Sequence, residues 1–421
     1  MVDINNEAMI TYESVESALK KYMKEIEGKT LGYEEINIED SLGRILYDDV
    51  IAQYDLPAFS RALIDGYAVN SHDVILADSQ NPVTLKIIAE AQVGYVDELI
   101  ISEKEAVKIS TGAMLPKNAD SIVMLENTIS EGNQVKVFKS VIVGENIAQK
   151  GEDISIGELF IRKKRKIRAQ DIGGIICLGF RKIRVFKMPA VAVIPTGNEL
   201  IPINVTPKLG QLPESNTYVL KGLVEQLGGI SKIQPIVKDN PDMVRESICK
   251  ALESSDIILI SGGSSIGSKD YTLEAIKSIK NSKIIAHGIA MRPGKQTLLA
   301  FIDGKLVIGL PGHPVSCITS FLVFVKPVLI QLAGNPRSFW QERKDNIKID
   351  AILAKDVESP KDREDYVRVR LKLLDNGKIT AYPYAGKSSF ISTLVKSHGL
   401  IKLAPDCSKL YEGDRVKVIL F

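Results

Sequence analysis

The spacing of apolar and polar residues changes several times along this chain of 421 residues, and each change marks a different kind of element. In residues 11–26, Val15, Ala18, Leu19, Tyr22 and Ile26 recur at helical spacing while Lys and Glu take the other face, which predicts an amphipathic helix. Glu34-Glu-Ile-Asn-Ile predicts a short strand, and Gly43-Arg44 a turn. Leu56-Pro-Ala-Phe-Ser-Arg-Ala-Leu-Ile-Asp-Gly-Tyr then interrupts with loop chemistry. From 83 to 143, short alternating runs such as Val83-Thr-Leu-Lys-Ile-Ile and Gln134-Val-Lys-Val-Phe predict a separate β-rich insert.

From Pro189 the pattern alternates between strand and helix. Strands are predicted at 190–194, 230–237, 257–260 and 306–310, and helices at 216–227, 241–254, 271–280 and 315–333. That order predicts a doubly wound α/β domain. Residues 347–421 read as strands with turns at 375–377 and 412–414, which predicts a small β-barrel or sandwich.

A chain of this length points to about two to four domains. Apolar residues at 45% and charged residues at 25% fit a soluble globular protein, and a net charge of +2 supplies no global field for nucleic acid. The basic run Arg162-Lys-Lys-Arg-Lys166 is read as a solvated turn. The 4 cysteines form no CxxC pair and the 4 histidines are scattered, so reduced thiols are expected rather than a zinc site or disulfides. The N-terminus has no signal pattern, and the apolar stretch 317–332 is broken by Lys326-Pro327. A cytoplasmic protein without a membrane span is expected.

Candidate chemistry gathers where strands run into glycine-rich turns. Ser261-Gly262-Gly263 and Pro311-Gly312 follow apolar strands, as does Thr196-Gly197, and Ser316 lies just beyond. In an open parallel sheet such turns share one edge, where backbone amides favour anions and ligands bind. Acids accompany them: Glu199, Asp239 and Asp270, with Asp65 far off in sequence. Carboxylates beside an anion-binding edge suit a magnesium ion bridging phosphate oxygens. Each acid has a plainer reading as a helix cap or turn residue, to which Asp239 is the most open and Asp270 the less so. Arg292 and Lys295 flank Pro293-Gly294, either as cations on a rigid turn suited to an oxyanion or as a solvated hairpin tip. Thr111-Gly112 is a further hydroxyl–glycine pair, and no Ser–His–Asp or Cys–His grouping supports a nucleophile.

Taken in order, these blocks resemble the molybdopterin molybdenumtransferase family, which includes the C-terminal domain of gephyrin. The resemblance spans essentially the whole chain. It is carried by Asp65-Gly-Tyr-Ala-Val, Ile109-Ser-Thr-Gly-Ala, Asp120-Ser-Ile-Val-Met, Gly151-Glu-Asp, Pro195-Thr-Gly-Asn-Glu-Leu, Ser261-Gly-Gly with Gly267-Ser-Lys-Asp-Tyr, Arg292-Pro-Gly-Lys, and Gly309-Leu-Pro-Gly-His-Pro-Val-Ser.

The resemblance implies a multi-domain α/β and β fold. An N-terminal helix (1–26) would pack on a molybdopterin-binding α/β domain (187–335). A linking domain (27–50 and 150–186), a β-rich insert (51–149) and a C-terminal β-barrel (336–421) would complete it. It also implies insertion of molybdate or tungstate into adenylylated molybdopterin, with magnesium-dependent release of AMP, in a homodimer whose cleft uses both subunits. A molybdopterin adenylyltransferase and molybdoenzyme apo-proteins are implied as partners.

Asp65, Asp153, Glu199, Asp239 and Asp270 match the family's functional acids, with Asp270 and Glu199 assigned to magnesium. Thr111 matches a threonine of the insert. Arg292, Arg368 and Ser388 match oxyanion-contacting positions, and Pro293 and Lys295 share that turn. The chain departs from the family pattern at Phe59–Asp65, where an acid and a hydroxyl are lost. It departs also at Ala148 in place of Arg, at Asn198 in place of an acid, at Glu214 in place of Asp, at Gly288 in place of Lys, and at His313 in place of Asn. These departures motivate an alternative, a catalytically weak paralogue that binds or delivers the pterin cofactor. An adenylyltransferase would resemble the α/β part alone, and a scaffold of the gephyrin kind would need a further binding module.

Overall fold

The computed structural model describes residues 12–96, 98–263, 270–334, 348–375, 377–384 and 386–421. The expected turn residues 264–269 and Asn376, Thr11 at the start of the first helix, and the junction at 335–347 lie outside them. The chain forms two compact units, Met1–Glu34 with Phe186–Phe421, and Glu35–Val185.

In the first unit, the amphipathic pattern near the N-terminus becomes the helix Val15–Lys24, shorter than the expected 11–26. Ser14 Oγ caps it by accepting from Ser17 N at 3.2 Å. Its apolar stripe, Val15, Ala18, Leu19 and Tyr22, is buried in one core with Val191, Leu259 and Phe321. The sheet it joins has six strands in the spatial order Ile230–Ile233, Ala190–Pro195, Ile257–Ser261, Lys305–Leu310, Leu298–Ile302, Ser282–His287. The first three pairings are parallel, as the α/β pattern predicts. The last two are antiparallel, so two strands beyond the expected set close one side. The hairpin Leu298–Leu310 turns on Asp303 (φ 48°) and Gly304 (φ 77°), a two-residue turn whose positive φ values match the twist of the flanking strands.

The helical stretch after Gly312 is not uniform. Pro314–Ser320 is α-helical, Phe321–Val325 is π-helical, and Lys326–Leu332 is α-helical again. Pro327 has no N–H and would crowd the carbonyl four residues back, and the widened turn just before it accommodates the ring. Pro314–Leu332 is the one helix among the described residues long and apolar enough to cross a membrane, and most of it is buried in the protein.

The C-terminal strands close into a barrel. Glu364–Leu373 pairs with Ile379–Pro383, which pairs with Lys348–Leu353, then Arg415–Leu420, then Gly399–Leu403, which returns to Glu364–Leu373. Each of the five strands has a paired neighbour on both sides, which settles the barrel-or-sandwich alternative. A short strand, Met291–Arg292, adds in parallel to Glu364–Leu373.

The second unit holds a six-stranded sheet ordered Ser121–Met124, Gly66–Val69, Glu105–Ile109, Val83–Ala91, Gln134–Val137, Thr128–Glu131. Gly66 is required there, because a Cβ would collide with the Val123 carbonyl of the neighbouring strand. Two short antiparallel arms, Val50–Ile51 with Leu159–Ile161 and Arg61–Ala62 with Ile147–Ala148, extend the chain. The basic run forms a turn with Lys164 at φ 67°, and Arg165 pairs with Asp171 at 3.1 Å.

Candidate functional site

The carboxyl ends of the parallel strands in the first unit open into a cleft of about 680 Å³. Thr196, Gly197, Ser261, Gly262, Gly263 and Gly312 line it, as expected of the hydroxyl–glycine turns. Backbone bonds bring these turns together: Thr196 N donates to Ser261 O at 2.9 Å, and Gly262 N to Leu310 O at 3.0 Å. At Gly263 (φ 66°) a Cβ would sit 2.7 Å from Thr272 Oγ1 and 2.8 Å from Thr196 Oγ1, so only glycine lets the loop lie this close. Pro311 and Ser316 are buried beneath and do not line the cleft.

Asn216 escaped the sequence reading as a site residue. Its Nδ2 donates to Ser261 Oγ at 3.1 Å and to Gly312 O at 2.8 Å, tying two turns into one wall. The advance signals were its place at the start of a predicted helix and the Gly210-Gln and Ser215-Asn block that forms part of the family resemblance. Glu214, buried, accepts from Thr217 N at 2.9 Å and from the Thr217 hydroxyl, which fixes the start of the same helix. Cys317 is buried nearby, and desolvation pushes its thiol pKa up to about 12.

The acids divide. Glu199 and Asp239 both line the cleft. Asp239 does not cap the following helix; Asn240 does, its Oδ1 accepting from Asp242 N at 3.0 Å and Met243 N at 3.1 Å. Asp239 Oδ2 instead accepts from Asn198 N at 3.2 Å. Asp270 reverses the expectation that it was the less open of the acids to a capping role. It is the N-cap of helix Tyr271–Ser278, with Oδ1 accepting from Leu273 N at 2.8 Å. Its Oδ2 lies 3.0 Å from His287 Nε2, so both oxygens are engaged. The carboxylates lining the cleft are therefore Glu199, Asp239 and Glu214, the last already engaged by Thr217. No group of three His, Cys, Asp or Glu side chains with metal-binding geometry occurs among the described residues.

The cations converge through tertiary structure. Arg292 is not a hairpin tip: its strand pairs with the barrel, in register with Asp365. Arg368 lies on that same barrel strand, is only 6% exposed, and donates from Nη2 to Gly386 O at 2.9 Å. Its Nε is buried without a hydrogen-bond partner among the described residues. Burial first, and the charge of Arg292 second, lower its pKa, while a guanidinium remains charged at neutral pH. Ser388 follows Gly386 closely, and its Oγ lies 3.0 Å from His313 Nδ1. Lys295 turns elsewhere, its ammonium lying 3.9 Å from the centre of the Tyr12 ring. Pro293 follows Arg292 through a cis peptide bond.

In the second unit, Asp65 accepts from Thr111 N at 2.7 Å and Thr111 Oγ1 at 2.9 Å. The backbone bond first, then the hydroxyl bond, hold its pKa below the usual carboxylate range. Asp153 is exposed, with its backbone N donating to Leu56 O at 3.0 Å.

Three family models match in series: the MoeA N-terminal region (domain I and II) over residues 13–179, the probable molybdopterin binding domain over 192–331, and the MoeA C-terminal region (domain IV) over 350–421. A molybdopterin molybdenumtransferase of Staphylococcus epidermidis is 34% identical over 97% of this chain and 95% of its own length. One of Staphylococcus aureus is 33% identical over 91% and 90%. The crystal structure of a molybdopterin biosynthesis MoeA protein from Pyrococcus horikoshii superposes with a TM-score of 0.85 at 33% identity, covering 97% of this chain and 99% of that one. The order of the motifs, the cleft at the strand ends and these matches over nearly the full length agree: the chain belongs to the molybdopterin molybdenumtransferase family, transferases of molybdenum cofactor biosynthesis.

Proposed function

We propose that this protein inserts molybdate, or tungstate, into adenylylated molybdopterin and releases AMP. The observation that carries this reading is the pairing, within one unit, of a glycine-lined cleft with a buried, incompletely satisfied Arg368 beside Arg292. A buried cation with a free donor is costly unless an anion completes it, and a tetrahedral dianion does so through charge and hydrogen bonds. The turns at Thr196, Ser261 and Gly312 supply amides and hydroxyls for the phosphates of the nucleotide-linked pterin.

The donor set fits magnesium in its usual form, one or two carboxylates with substrate phosphates and water completing the shell. Glu199 and Asp239 would hold it, and Asp270 would join only by releasing His287. Bound there, magnesium would neutralise charge on the phosphoanhydride as it is hydrolysed. The chain's own residues do the rest. Arg292 and Arg368 hold the oxyanion, and Asn216 keeps the two turns in register.

The homodimer and the functional roles of Asp65, Thr111 and Asp153 rest on the family resemblance, and light scattering of the purified protein tests the dimer. The central experiment incubates the protein with adenylylated molybdopterin, magnesium and molybdate or tungstate, and follows AMP and cofactor together. Formation of both is expected. Tight substrate binding with no AMP would replace this reading with that of a cofactor carrier.

A further inference from the structure

The ring of His313 stands where the cleft meets the loop that carries Ser388. His313 lines the cleft and occupies the N-cap position of helix Pro314–Ser320. Its Nδ1 is 3.0 Å from Ser388 Oγ, and Val315 N donates to Ser388 O at 3.1 Å. The loop is thus fastened to the helix start at two points. Two residues earlier, the Gly386 carbonyl accepts from Arg368 Nη2 at 2.9 Å, so the serine hydroxyl and the guanidinium share one short segment.

A hydroxyl carries a single proton, and its neighbour decides where that proton points. An unprotonated imidazole nitrogen accepts the serine proton and turns it away from any anion. The imidazolium can only donate: it takes a serine lone pair and leaves the hydroxyl proton free for an oxyanion oxygen. We propose that His313 is a positioning residue that sets the direction of the Ser388 hydroxyl, so that a tetrahedral oxyanion binds more tightly when the ring is protonated. This inference rests on the oxyanion site proposed above and deepens it.

The other charged groups around the ring do not substitute for it. Lys387, Arg292 and Arg368 are cations and carry no imidazole. Glu214, ahead of the packed helix Asn216–Gln226, is held by Thr217. On that helix Lys221 and Glu225 pair at 3.7 Å, and Tyr218 is exposed. Helix Ile391–Val395 contributes no titratable side chain. In strand Lys305–Leu310 the ionisable group is Lys305, which donates to Leu252 O.

The test titrates the full-length protein calorimetrically with sodium sulfate and with sodium molybdate, from about pH 6 to about pH 8 at constant ionic strength, across the range in which histidine titrates. Sulfate keeps its charge throughout, so its slope reports the protein alone. Wild type is expected to bind about fivefold more tightly at the acid end. His313→Asn, whose amide donates at every pH, should match the acid-end affinity and vary by less than about twofold. The His313 ring resonances should also shift toward the protonated form when sulfate is added, which a purely structural histidine would not show. An equal pH slope in wild type and His313→Asn overturns the proposal and leaves the oxyanion site standing. Failure of either anion to bind wild type at any pH overturns both.

Discussion

Asp270 Oδ2 lies 3.0 Å from His287 Nε2 while its other oxygen caps helix Tyr271–Ser278, so one carboxylate joins the start of that helix to an edge strand of the six-stranded sheet. Asp270→Ala should lower stability by about 1 kcal/mol through loss of the cap, read by urea unfolding. Asp270→Asn retains a capping oxygen and should stay within about 0.5 kcal/mol of wild type. A larger loss in the Asn variant would mean that the His287 contact, not the cap, dominates.

Arg368→Met should weaken molybdate binding at least about tenfold, because the incompletely paired donor is removed while the volume is roughly kept. The same substitution should leave stability unchanged or raise it. It removes a desolvated charge lying near a second cation, Arg292, and such replacements are often neutral or stabilising. Thermal unfolding beside calorimetric titration reads both outcomes.

Gly263→Ala places a Cβ against two hydroxyls at a positive φ. A cost of roughly 1–3 kcal/mol is expected from strain and overpacking. Nucleotide affinity should fall more than stability, since the loop must retreat from the cleft; AMP competition against denaturant midpoint separates the two effects.

The Cys317 thiol should be silent to alkylating reagents in the native protein near pH 8, while exposed Cys177 and Cys249 react. Its folded pKa of about 12 is raised above the ordinary value of 9.0, so the stability linked to it is complete below pH 9. That contribution is lost as pH rises from there toward 12, because the unfolded thiol ionises first. Mass spectrometry of labelled peptides with and without urea checks the assignment.

The order of strands and helices was legible because burial writes a period into the sequence, and helix Pro241–Ser254 falls on the residues its spacing predicts. The hairpin at Asp303-Gly304 was equally written, as an Asp-Gly pair between apolar runs. It escaped because the alternation of strand and helix drew the reading toward a wholly parallel sheet. Asp270 as a cap was obscured by the glycine-rich residues before it, which disguise the start of a helix. The meeting of Arg292 with Arg368 has no local signal, since 75 intervening residues bring them together only when one strand joins another. The family resemblance pointed to those arginines; spacing did not.

The short strand Met291–Arg292 has one more consequence. Glu364 N donates to Ala290 O at 2.9 Å, so a piece of the α/β domain is stitched into the barrel's own ladder. Rocking one domain against the other would have to tear main-chain bonds, not merely slide side chains. The backbone positions that carry the two arginines are therefore held in register before any anion arrives.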